Sequence, residues 1–137
     1  MKNQTKLTII LTAVCALALS AVAQDAKPLP PAATKTGVTY DGDIKAFLDT
    51  SCVHCHSGDK PKARLKLDTL EGALKGTKDG PILKAGDSAN SLLVKITAHL
   101  TADHDSWMPP LNNKAGIKPL TPDQIGLIRA WIDQGAK

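Results

Sequence analysis

The chain has 137 residues, 22% of them charged, with a formal net charge of +4 and an aromatic content of 3%. That length supports one small domain, and so few aromatics leave a modest core that the apolar surface of a cofactor would complete. Lys and Arg are scattered and form no stripe, which argues against a nucleic-acid partner.

Residues 1–23 have the layout of a secretory signal: Lys2 and Lys6, an apolar run over Leu7–Leu19 broken by Thr8 and Thr12, then Ala21-Val22-Ala23. The run is shorter than the roughly 20 apolar residues a spanning helix needs. The expectation is export to the periplasm or beyond, with cleavage after Ala23 and no stable membrane insertion afterwards. Cys15 follows Val14, a poor lipoprotein context, and would be lost with the signal. Cleavage leaves 114 residues with 15 basic and 13 acidic side chains, a formal charge of +2.

Residues 24–39 read as a linker, with Pro28, Pro30 and Pro31 among Ala, Thr and Lys and no apolar periodicity. An extended tether and a tail without a role are both open. The folded unit is expected over 40–137. Asp43–Ser51 predicts a short helix with Ile44, Phe47 and Leu48 on one face.

That helix runs into Cys52-Val53-His54-Cys55-His56, the C-x-x-C-H signature of c-type haem attachment. Two thiols one turn apart can each add across a vinyl group of one porphyrin, and the imidazole after the second is then placed to ligate iron. His54 reads as a partly exposed spacer. Export agrees, because such attachment takes place outside the cytoplasm where thiols are handled oxidatively.

Further on, Asp68 with Glu71 three residues later resembles a capping box and predicts a brief helix ending at Gly76. Asp87 or Ser88 can cap another, with Leu92, Leu93, Ile96 and Leu100 as its apolar stripe. Trp107-Met108-Pro109-Pro110 offers a sixth iron ligand on a loop that two prolines stiffen. A thioether favours ferrous iron, so a His56/Met108 pair raises the reduction potential. His99 and His104 are rivals, each equally readable as a solvated or capping side chain. The last helix is the best specified: Thr121, Pro122 and Gln124 form an N-terminal cap, Ile125, Ile128, Trp131 and Ile132 a buried face, and Gly135 the stop. Strand-like alternation is sustained nowhere. The fold class is all-α, short helices joined by long ordered loops that wrapping a cofactor would explain.

Cys52–His56, Leu65-Lys66-Leu67-Asp68-Thr69, Met108-Pro109-Pro110 and Leu120–Gly135 together resemble the planctomycete-type cytochrome c domain of the class I cytochrome c family. The resemblance spans about Tyr40 to Ala136. It implies a small cytochrome c-like fold, short helices and long loops wrapped around a covalently bound haem that crossed N- and C-terminal helices enclose, with Phe47 meeting Trp131. Many relatives carry Gly-Gly where this chain has Ala63-Arg64, which leaves the local loop path open and lets Arg64 or Lys66 approach a haem propionate, although a solvated basic face is the commoner role.

The expected function is one-electron transfer by an exported electron carrier, not an enzyme, holding one haem c through Cys52 and Cys55 with iron between His56 and Met108. Redox partner proteins of unknown identity and a monomeric state are implied. An open distal site would instead allow a haem sensor or a peroxidase-like protein. A different class of reading is a structural zinc module using Cys52, Cys55, His99 and His104. Against it, 43 residues separate the Cys and His pairs, where a compact finger has roughly 12–15, and His56 and Met108 go unused. A thioredoxin-like dithiol or plain disulfide lacks the βαβ context.

Overall fold

The computed structural model describes residues 27–137, so the expected signal over 1–23 lies outside the described residues. Among the described residues four α-helices follow one another: α1 (Lys45–Ser51), α2 (Leu70–Lys75), α3 (Leu92–Thr97) and α4 (Pro122–Asp133). A π-helical turn at Tyr40–Ile44 leads into α1, and 3-10 turns occupy Lys62–Arg64, Ser88–Asn90 and His104–Ser106. Among the described residues the only β pairing is an isolated bridge between Thr77 and Gly80. The domain is small and all-α. No described helix is long and apolar enough to cross a membrane.

The scaffold is built on α4. Thr121 accepts from the Gln124 amide at 3.3 Å while the Gln124 side chain accepts from the Thr121 amide at 2.8 Å, which satisfies two of the helix's free N–H groups. Pro122 sits where no N–H is needed. Ile125, Ile128, Trp131 and Ile132 are buried as their spacing requires. Gly135, at φ 99, turns the chain out of the helix.

Trp131 is fully buried, and its aromatic partner is Tyr40, with ring centroids 5.8 Å apart at 49°. This corrects the expected Phe47–Trp131 pair. The helical path begins three residues earlier than the predicted Asp43, and the π-helical turn swings Tyr40 inward. Thr39 caps that turn by accepting from the Gly42 amide at 3.1 Å. The Tyr40 hydroxyl donates to the Leu67 carbonyl at 2.8 Å, and burial, ahead of nearby carboxylates, pushes its pKa up to about 12. Tyr40 thus joins α1, α4 and the loop leading to α2.

Two other helices differ in detail from expectation. The cap of α2 is Thr69, which accepts from the Gly72 amide at 3.1 Å, while Asp68 Oδ1 is buried without a hydrogen-bond partner. In α3 the buried positions are Leu93, Val94 and Thr97, and Leu92 is 46% exposed. The cause is the Ser88–Asn90 turn, capped by Asp87, which rotates the start of α3 relative to a single continuous helix.

Residues 30–38 lie extended along α4. The Ala33 amide donates to the Gly126 carbonyl at 2.9 Å, Gln134 donates to the Lys35 carbonyl at 2.8 Å, and Arg129 donates to the Pro30 carbonyl. Gly126 permits this approach, since a Cβ there would stand 2.8 Å from the Pro31 carbonyl oxygen.

Candidate haem-attachment site

Cys52 closes α1, donating its amide to Leu48 at 2.8 Å. The next residues keep turning: the amides of Cys55 and His56 both donate to the Cys52 carbonyl, at 3.1 and 3.0 Å. Cys52, Cys55 and His56 are therefore gathered on one turn, as the spacing predicts. Cys52 is 7% exposed, His56 8%, and Cys55 is half-buried. His54 points to solvent on the same turn.

Both cysteines are free thiols. Burial, followed by the neighbouring Cys55, pushes the Cys52 thiol up to about 12. That is opposite to the depressed pKa of a dithiol redox centre. Burial also holds the His56 imidazole below its ordinary pKa, an effect partly offset by the backbone of Lys62 and Leu65. A neutral imidazole is the form that ligates metal. His56 Nδ1 is buried with no hydrogen-bond partner.

The loop beyond is tied back to this turn. The Lys62 amide donates to the Cys55 carbonyl at 3.0 Å and the Leu67 amide to the His56 carbonyl at 2.8 Å. Between these anchors, Ala63 and Arg64 lie in the left-handed region at φ 54 and 57. This is the position where Gly-Gly is common among proteins of the resembling type, and glycine adopts such torsions without steric cost. The departure therefore leaves the glycine-like path intact.

A second group surrounds Trp107. Its indole donates to the Thr101 carbonyl at 3.0 Å. His99 stacks on it in parallel with centroids 4.8 Å apart, and His104 packs on it at 4.1 Å. Met108 follows, half-buried, its amide donating to the Ile96 carbonyl at 3.1 Å. The loop carrying Met108 is thus pinned to α3. His99 has φ 57, and its buried Nε2 lacks a hydrogen-bond partner; His104 is exposed. Sequence reasoning treated the two histidines separately and missed their shared stacking on Trp107. Only the proximity of all three aromatic rings in sequence hinted at it.

Among the described residues no group of three or more His, Cys, Asp or Glu side chains converges on a metal-sized site. The four zinc candidates are split between the α1 turn and the Trp107 cluster, so the structure does not assemble that centre. The donor set on the α1 turn does fit haem c: two free thiols and a buried imidazole whose pKa burial lowers.

Residues 52–112 match the family model described as planctomycete cytochrome C, beginning on Cys52 and ending just past Met108. That segment resembles a planctomycete cytochrome c domain. No curated protein matches the chain. Among solved structures, a chain of Kuenenia stuttgartiensis hydrazine synthase is similar at 24% identity and a TM-score of 0.48. That similarity covers 72% of this chain and 16% of the other, so this chain spans a small part of its neighbour's length. The match supports haem c as the cofactor class that this donor set would hold.

Proposed function

We propose that the protein is an exported mono-haem electron carrier, with haem bound covalently through Cys52 and Cys55 and its iron held between His56 and Met108. The observation that carries this reading is the single turn that gathers two free thiols and a buried imidazole. When bound, haem supplies a one-electron ferric/ferrous couple.

The protein's own residues supply the rest. Cys52 and Cys55 retain the cofactor, so it is not lost between encounters. The hydrogen bonds from Lys62 and Leu67 hold the His56 turn in one geometry across a change of oxidation state. The Met108 loop, pinned to α3 by its amide bond to Ile96, would offer the iron a soft sulfur donor, and a filled sixth position would suit a carrier better than a substrate-transforming enzyme. The basic and hydrophobic leader over 1–23 supports export.

A second reading has one specific observation behind it: the unpartnered Nε2 of His99 supplies a nitrogen donor in place of Met108. Visible spectroscopy with carbon monoxide separates the readings. His/Met ligation predicts a methionine-to-iron charge-transfer band in the ferric protein and slow carbon monoxide uptake by the ferrous protein. Met108→Ala should abolish the band, lower the potential and open the distal side. A band absent from the parent protein and a Met108→Ala variant with unchanged potential would transfer the ligand role to His99. Rapid carbon monoxide binding by the parent would favour a sensor or peroxidase-like site.

A further inference from the structure

The excess positive charge of the folded domain is collected in one place. A cleft of about 420 Å³ is lined by Lys60, Arg64, Lys66 and Lys75, with Asp59 as its one acid. Residues 27–137 contain fifteen Lys and Arg and twelve Asp and Glu. With the four cations and one acid of the cleft set aside, eleven of each sign remain and cancel. The ion pairs among the described residues, Lys35–Asp43, Lys45–Asp49, Lys78–Asp79 and Lys84–Asp87, all lie outside the cleft. Its four cations are exposed and have no acid within ion-pair distance among the described residues.

The backbone builds this collection. Gly72 lets the first turn of α2 press on Lys66, where a Cβ would stand 2.6 Å from the Lys66 Cβ, and so Lys66 and Lys75 share one wall. Arg64 is held on another by its left-handed backbone and by an amide bond to the Pro61 carbonyl at 3.0 Å. The same loop bonds directly to the carbonyls of Cys55 and His56.

We propose that this cleft docks an acidic segment of a protein redox partner, delivering it onto the loop hydrogen-bonded to the haem-attachment turn. The inference rests on the electron-carrier reading above. Four exposed cations on long stems suit a salt-sensitive macromolecular encounter, in which charge steers association. They do not suit a small-anion site, which needs convergent, desolvated donors. Lys62 and Leu67, whose amides donate to the Cys55 and His56 carbonyls at 3.0 and 2.8 Å, are each next in sequence to a lining residue, Pro61 and Lys66, so the cleft lies on the loop tied to that turn.

The test uses the haem-loaded protein and two small oxidants that each take one electron from its ferrous form: anionic hexacyanoferrate(III) and cationic tris(phenanthroline)cobalt(III). At low ionic strength, Lys66→Glu with Lys75→Glu should slow oxidation by the anion about tenfold and speed oxidation by the cation. Lys27→Glu with Lys137→Glu makes the same change in net charge away from the cleft and should alter each rate less than about twofold. Equal effects from both pairs would overturn the proposal, because overall charge alone would explain them. A shifted midpoint potential with unchanged reagent preference would also overturn it, assigning the cations to the haem propionates.

Binding is read separately by amide chemical shifts of the loaded protein during titration with an octaglutamate peptide and with inorganic phosphate. Shifts at residues 60–66 and 72–75 with the peptide, absent in the Lys66→Glu, Lys75→Glu variant, support docking. Phosphate binding as tightly as the peptide would replace it with a small-anion site. Failure of the ferrous protein to reduce either oxidant would remove the carrier reading, and the titration would still decide what the cleft binds.

Discussion

Ala63 offers the cleanest perturbation of the loop behind the haem-attachment turn. Its side chain is exposed and its φ is 54, so replacement by glycine removes no packing and relieves a left-handed L-residue. Such a conformation costs about 1–2 kcal/mol. The extra freedom of glycine in the unfolded chain offsets about 0.4–1 kcal/mol of that relief. Ala63→Gly should therefore stabilise the domain by about 0.5–1 kcal/mol, or about 3–6 °C in Tm for a domain of this size. The loop cannot relax by another route: Lys78 donates to the Ala63 carbonyl at 3.0 Å, and the amides of Arg64 and Leu65 are both bonded within the turn. Arg64→Gly should add a similar increment while removing one cation from the cleft. Thermal unfolding of the ferric protein followed by far-UV circular dichroism is the assay, with Ala46→Gly in α1 as the control that loses about 0.5–1 kcal/mol. An Ala63→Gly variant that melts below the parent would refute the reasoning.

Further outcomes can be checked on the same samples. Tyr40→Phe should cost about 1–2 kcal/mol, because the Leu67 carbonyl loses its donor inside the core; urea unfolding measures it, and an unchanged midpoint would contradict the role given to Tyr40. Gly126→Ala should lift residues 30–38 off α4, so limited proteolysis should cut that segment faster in the variant than in the parent. Cys52→Ala combined with Cys55→Ala should abolish covalent haem and leave a poorly folded chain; a compact, helical double variant would show that the cofactor is not needed to complete the core.

What could be read in advance follows from the range of the interactions involved. The α4 helix was legible because its cap, proline and buried face are all set within fifteen residues of Thr121. The Cys52–His56 turn was legible because C-x-x-C-H is contiguous in sequence, and local amide bonds are enough to form it. The Phe47–Trp131 pairing failed because packing between chain ends depends on where the first helical turn starts, and a π-helical turn placed Tyr40 there instead. Asp68 lost the cap to Thr69 by one residue, a difference that backbone torsions decide and composition does not. The basic cleft was invisible because Lys60, Arg64, Lys66 and Lys75 follow no helical or strand period; a left-handed loop and a close approach at Gly72 bring them together.

Covalent attachment of a single haem is the claim on which the functional account stands. Expression in a host able to mature c-type cytochromes, followed by a pyridine haemochrome spectrum and intact mass, measures it directly. The account predicts a c-type spectrum, one added haem and no free thiol at Cys52 or Cys55. A colourless protein of unmodified mass with both thiols titratable would contradict it.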